Sequence, residues 1–167
     1  VEDAGSVAEP VRVENSIFVG NNSLTFGGAA LYAQDAPVDL VGCTIVMNQS
    51  NNDAAVQQER NADSTTRLLS SIIWGNTSDF TDPEFAQFIG GAARVIEHSL
   101  IQDYQGTGPG LLTGDPLLID PLGPDAIPGT GDEDLRLHPT SPCIDAGPNA
   151  GWLPESPPLD LDANPRF

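Results

Sequence analysis

One strand-like unit recurs along this chain at nearly constant spacing, and that recurrence restricts the fold more than any other feature. The segments VENSIFVGN, LVGCTIVMN and LLSSIIWGN end at Asn21, Asn48 and Asn76, at intervals of 27 and 28 residues. Eight positions before each asparagine stand Val13, Leu40 and Leu68, five before stand Ser16, Cys43 and Ser71, and three before stand Phe18, Ile45 and Ile73. A fourth copy follows with Ile96, Ser99 and Ile101, but Tyr104 takes the asparagine position, so the asparagine ladder is expected to end there. A period between about 20 and 50 residues marks an array in which each copy buries its apolar side only by stacking on its neighbours.

Between the copies the chain reads GGAALYA, AAVQQE and FAQFIGGAARVIE, broken by Gly, Ser, Asn, Asp and Pro, which predicts short strands and bends. Parallel strands about 4.8 Å apart would set equivalent residues directly above one another. Asn21, Asn48 and Asn76 then become a structural ladder, passing amide hydrogen bonds up the column and tolerating the left-handed backbone of a tight corner. An outward column of Arg12, Asp39 and Arg67 would alternate charge. The rival fold is a leucine-rich repeat, because Leu40 to Asn48 nearly matches its consensus. The other half of each copy argues against it, with Gly-Gly pairs and no sustained helical period.

Beyond Ile101 the repeat dissolves into Pro- and Gly-rich sequence carrying Leu111, Leu112, Leu117, Leu118, Ile119 and Trp152, suited to covering the last apolar copy. Proline cannot donate to a ladder, so this stretch also discourages further strand addition. At the other end, strand-like sequence begins at Val11 without a comparable cover, and more copies of the repeat are expected upstream in the same polypeptide.

Residues 114–121 (GDPLLIDP), 134–147 (DLRLHPTSPCIDAG) and 159–166 (LDLDANPR), in that order, resemble secreted bacterial right-handed parallel β-helix proteins with a pectin-lyase-like fold, in particular the choice-of-anchor Q domain group. Residues 18–21 (FVGN) and 27–31 (GGAAL) are similar to the short motifs of polymorphic outer-membrane proteins. Cys143 stands where the first group usually has alanine, and nothing after Phe167 resembles an anchoring tail. Repeat and resemblance together predict an all-β, right-handed, single-stranded parallel β-helix. Residues 1–104 would form about four rungs of period 27–28, and residues 105–167 a Pro/Gly-rich C-terminal cap of the same domain. The resemblance implies a secreted or cell-surface bacterial protein.

Charge narrows the partners. There are 24 acidic residues against 6 basic ones, all arginine, for a net charge of −18. Nucleic acid needs clustered cations, and these arginines are dispersed; the acidic surplus also repels anionic headgroups. No apolar run is long enough for membrane insertion, and the first residues lack a signal pattern, as expected of a mature protein or a fragment. Divalent cations, neutral or cationic glycans and another surface protein remain. Cys43 and Cys143 lie far apart, outside any metal or redox motif, and read as small buried residues.

Candidate chemistry is sparse. Asp160, Asp162 and Asn164 follow the spacing of the first half of a calcium loop, although Pro165 replaces the glycine and no later Glu closes the site. Asp132, Glu133 and Asp134 read as a solvated loop. Arg60 and Arg67 lie near Glu59 and Asp63, where a polysaccharide lyase would need a base; a surface salt-bridge loop accounts for them equally. His98 and His138 have no visible nucleophile beside them. Tyr32, Trp74, Tyr104 and Trp152 are candidates for stacking on sugars, with Trp74 assigned to core packing because Val19 and Val46 occupy its column. No catalytic residue is assigned. The expectation is a non-catalytic surface module for adhesion or glycan contact, the alternative being a fragment of a polysaccharide lyase or glycoside hydrolase. A cleft with inward-facing acids and an arginine would favour the enzyme, and a face of closed ladders the module.

Overall fold

The structure is a computed structural model that describes residues 9–25, 27–59, 65–79, 82–90 and 93–148. The first copy contributes β1 (Val11–Glu14), β2 (Ile17–Val19), β3 (Asn22–Ser23) and β4 (Leu31–Ala33). The second repeats the order with β5 (Val38–Val41), β6 (Thr44–Val46), β7 (Gln49–Ser50) and β8 (Val56–Gln58). In the third, β9 (Thr65–Leu69), β10 (Ile72–Trp74) and β11 (Thr77–Ser78) are followed by a short helix, α1 (Pro83–Gln87), and β12 (Phe88–Ile89). The fourth supplies β13 (Ala93–Glu97) and β14 (Leu100–Ile101). The helix has a local cause: Asp82 caps it by accepting from the Glu84 N–H, and Pro83 starts it at a position where no backbone donor is needed.

Like strands of successive copies pair in parallel, giving sheets ordered β1-β5-β9-β13, β2-β6-β10-β14, β3-β7-β11 and β4-β8-β12. The registers set Val13 beside Leu40, Leu68 and Ile96, Phe18 beside Ile45, Ile73 and Ile101, and Leu31 beside Val56 and Phe88. These columns are the core: Leu40, Ile45, Val56, Leu68, Ile73 and Phe88 are all 0% exposed. Burial of each such side chain contributes roughly 1.5–3 kcal/mol. The protein is therefore nearly all β with parallel sheets.

Two corners recur with the copies. Asn15, Gly42, Ser70 and His98 have positive φ at the first, and Gly20, Met47, Gly75 and Asp103 at the second. The left-handed residue is thus the one before each ladder asparagine, which corrects the expectation that Asn21, Asn48 and Asn76 adopt that conformation themselves. Gly20 and Gly75 suit the position, since they have no Cβ to strain.

Outward-facing Val41, Val46, Leu69 and Leu100 are buried as well, and the chain beyond the fourth copy runs against this flank at Leu100, Met47 and Trp74. Gly108 sits against the Ile96 carbonyl, the His98 N–H donates to the Pro109 carbonyl, and Leu112 bridges to Leu100. This stretch closes the free edge of β14. A hairpin follows, β15 (Leu118–Asp120) antiparallel to β16 (Asp134–Leu137). It passes Trp74 and Met47, reaches Gly20 of the first copy with Pro128, and returns so that Ala146 meets the His98 ring. Only the start of the C-terminal segment covers the end of the stack, where the whole was expected to lie; the described remainder is a strap along its flank.

Candidate functional site

Most buried polar groups in the stack are engaged with one another. Asn21 donates through its backbone N–H (3.0 Å) and Nδ2 (2.8 Å) to Asn48 Oδ1. Asn48 does the same to Asn76 Oδ1, at 2.9 Å for each. The fourth member is Gln87 of α1, whose Oε1 accepts from the Asn76 N–H (3.2 Å) and Nδ2 (2.8 Å) while its Nε2 returns a bond to the Asn76 carbonyl. At the other corner the Cys43 N–H donates to Ser71 Oγ (3.1 Å) and the Ser71 N–H to Ser99 Oγ (3.2 Å). Cys43 occupies a serine place in this column, with its thiol directed at the Val13 carbonyl and its pKa raised by burial. The Thr66 hydroxyl donates to Gln58 Oε1. Groups consumed in this way hold copies together and are not free to act on a substrate.

The outward face of β4, β8 and β12 differs. Its central column is Tyr32, Gln57 and Ile89. Tyr32 is 45% exposed, and its hydroxyl donates to Glu59 Oε1 at 2.5 Å. That bond, together with the nearby charges of Glu59, Asp53 and Asp35, raises the phenol's pKa and keeps it protonated. Asp53 is anchored by accepting from the Gly27 N–H at 2.6 Å, while Gln57 Oε1 is buried without a hydrogen-bond partner. The result is an exposed ring held in one orientation, with the Glu59 carboxylate beside it at the surface and Asp53 and Gln57 Oε1 buried beneath. Such a surface suits hydroxyl or ammonium donors carried on an apolar ring face.

The other aromatics lie elsewhere. Trp74 is half-buried beneath the strap in a groove of about 230 Å³ with Met47, Asp115, Pro116, Leu118 and Pro121; it sits on the outer side of its sheet and not in the inner core. Tyr104 packs against the core cluster at the end of the stack. A second cleft, about 150 Å³, holds Ser70, Ile72, His98, Leu137 and Cys143. His98 Nδ1 lies 3.1 Å from the Ala146 carbonyl there, and burial pushes the Cys143 thiol pKa up. His138 Nδ1 lies 2.8 Å from Thr140 Oγ1.

Arg12, Asp39 and Arg67 are neighbours in register, yet the ion pair Arg12 forms is with Glu14 of its own strand. The other ion pairs among the described residues are Arg94 with Glu84 and Arg136 with Asp134. In the loop read as solvated, Glu133 accepts from the backbone of Gly129, Thr130 and Gly131. Its own N–H and these three hold its pKa below the ordinary range. The Arg136 guanidinium lowers Asp134 to about 2. Both carboxylates are shifted towards the charged form, the direction of turn anchors and opposite to that of a general acid.

Asp160, Asp162, Asn164, Arg60, Asp63 and Trp152 lie outside the described residues. Among the described ones no three His, Cys, Asp or Glu side chains are grouped to hold a metal. The Tyr32 and Glu59 pair was missed in the sequence: Tyr32 pairs in register with Gln57, 25 residues on, so the 27-residue period of the asparagine columns does not align it with Glu59. Compared with protein-family models, curated proteins and solved structures, the chain matches none of them.

Proposed function

We propose that this chain is a right-handed parallel β-helix module of an exported bacterial surface or secreted protein, and that it contacts neutral or amino-bearing glycans through the Tyr32 face. The parallel registers at 27–28 residues and the motifs of the C-terminal segment support the first half of that reading. The observation that carries the second is Tyr32, an exposed aromatic fixed by Glu59 and flanked by Gln57 and Asp53. A ring held in one rotamer loses little entropy when a sugar stacks on it, and the Glu59 carboxylate beside the ring attracts hydroxyl or ammonium donors. Uronate sugars are disfavoured by the net charge of −18.

The test is titration with chitosan oligosaccharides, neutral β-glucans and polygalacturonate. Binding is expected to fall in that order, and Tyr32→Ala is expected to abolish it without changing the circular dichroism spectrum. Binding that is unaffected by Tyr32→Ala would place the contact elsewhere. The same samples decide against the lyase alternative if unsaturated uronate products do not form with or without millimolar calcium. Calcium-dependent turnover lost in Arg60→Ala or Arg67→Ala would replace the module with an enzyme. Asp160, Asp162 and Asn164 are a candidate calcium site from sequence spacing alone, and a melting temperature insensitive to both calcium and chelator would remove them from consideration.

A further inference from the structure

The ladders have a direction. Between copies, the backbone or amide donor belongs to the earlier copy and the side-chain acceptor to the later one: Asn21 to Asn48, Asn48 to Asn76, Cys43 to Ser71, and Ser71 to Ser99; Asn76 then donates to Gln87 within its own copy. Smaller contacts repeat the sense, as Asn22 Nδ2 donates to Gln49, the Gly27 N–H to Asp53, and the Gly75 N–H to Gln102. Asn48 and Asn76 also send Nδ2 back to a main-chain oxygen of the copy before, Asn48 to Phe18 and Asn76 to Ile45. The two ends of the stack are therefore chemically different.

The later end is closed. Gln87 terminates the asparagine column, Arg94 lies over the Phe88 ring at 5.1 Å, and residues 108–112 seal β14. At the earlier end, β1, β2, β3 and β4 each have one neighbour in their sheets among the described residues. Val13, Phe18 and Leu31 are only partly buried there, whereas Leu40, Ile45 and Val56 above them are fully so. Among the described residues, the acceptors that the pattern leaves for an incoming donor are Asn21 Oδ1 and Ser16 Oγ; Ser16 donates to the Glu14 carbonyl and Asn21 to Asn48.

We infer that this end is a polar socket for one occupant, a preceding copy of the same repeat in the same polypeptide, seated parallel to β1–β4 and donating a backbone N–H to Ser16 and a backbone or amide N–H to Asn21. The inference deepens the β-helix reading above and rests on it. Two copies of this end related by a twofold axis would bring acceptor against acceptor at both corners, with strands antiparallel, so self-pairing is the wrong chemistry. Head-to-tail stacking is blocked by the closed end. Pro10 stands 27 residues before Pro37, whose carbonyl accepts from the Val11 N–H, so the sequence entering Val11 already keeps the period.

The experiment inserts a duplicate of residues 11–37 between Pro10 and Val11 of the full chain, so that the added copy also leaves through a proline. The melting temperature is expected to rise by about 5 °C or more. Asn21→Ala, of small effect in the original chain, is expected to lower the melting temperature of the extended one as much as Asn48→Ala does. Both proteins are expected to be monomeric by light scattering. No rise, an Asn21→Ala effect equal in the two backgrounds, or a dimer of the original chain that dissolves on extension would each overturn the inference. Asn48→Ala in the original chain separates this failure from that of the parent reading: if it too is silent, the stacked ladder itself is wrong.

Discussion

Asn48 finds partners 27, 28 and 30 residues away, in Asn21, Asn76 and Phe18, whereas Glu133 in the strap finds its partners two to four residues away, at Gly131, Thr130 and Gly129. The same contrast runs through both regions. Strap turns are closed by nearby side chains, as when the Leu117 N–H donates to Asp115, the Ile127 N–H to Asp125 and the Arg136 N–H to Asp134. The stacked copies share their buried groups between neighbours, so losing one member leaves two unsatisfied. Local turns form without the rest of the fold, and the strap then gains stability only where it docks, which makes it the first region to open.

The largest expected effect tests the stack. Asn76→Ala removes bonds to Asn48, Gln87 and the Ile45 carbonyl at once, and Asn48→Ala does nearly as much. Each should cost on the order of 1–3 kcal/mol in denaturant unfolding, against well under that for the exposed Asn21→Ala. Equal losses at all three positions would mean that burial and sharing do not set the cost.

Next comes a change designed to separate the two regions. Gly20 has φ of +64°, and a Cβ there would lie 2.2 Å from the Pro128 carbonyl oxygen. Gly20→Ala should cost roughly 1 kcal/mol in backbone strain and, because backbone cannot yield, lift the strap's tip from the first copy. Hydrogen exchange should accelerate at residues 125–133 and stay unchanged in β5, β6 and β10. Acceleration throughout would show that the strap and the stack unfold as one unit.

Acid gives a smaller effect with a defined sign. The folded pKa of Asp134 is about 2, below the ordinary 3.8, and that of Glu133 is lowered as well. Their contribution is present above about pH 4 and is lost as the pH falls towards 2. Both groups are exposed, so the loss is modest. It should appear as loosening of the strap turn in amide exchange, while the uncharged Asn and Ser ladders persist. The smallest change is Tyr32→Phe, which removes only the surface bond to Glu59 and should shift the melting temperature by less than about 1 °C.

The register of the stack was legible because it is written in repeated residue types: the columns through Leu40, Ile45 and Leu68 pair as spaced. Gln87 was not, since it enters the asparagine column from a helix 11 residues after Asn76 and outside the period. The left-handed corners were misassigned to asparagine although Gly20 and Gly75 stood beside it as the better signal. The strap's path has no period at all. Its trace lay in the sheet it covers, where residues 40–48 (LVGCTIVMN) are apolar at both alternations, the mark of a strand buried on both faces. The Tyr32 face was visible only in part, because an aromatic can be read from sequence but its pairing with Glu59 needs the copies laid side by side.

The strap also acts as a gauge of length. Between the anchorage at Leu112 and the touch of Pro128 on Gly20 it spans the fourth copy to the first, three steps of about 4.8 Å each. An in-frame duplication of an internal unit would carry Gly20 one step beyond the reach of Pro128, whereas units added ahead of Val11 leave every contact of the strap in place. Lineages that lengthen or shorten such an array by unequal recombination should therefore vary at the beginning and keep a constant number of units under the strap.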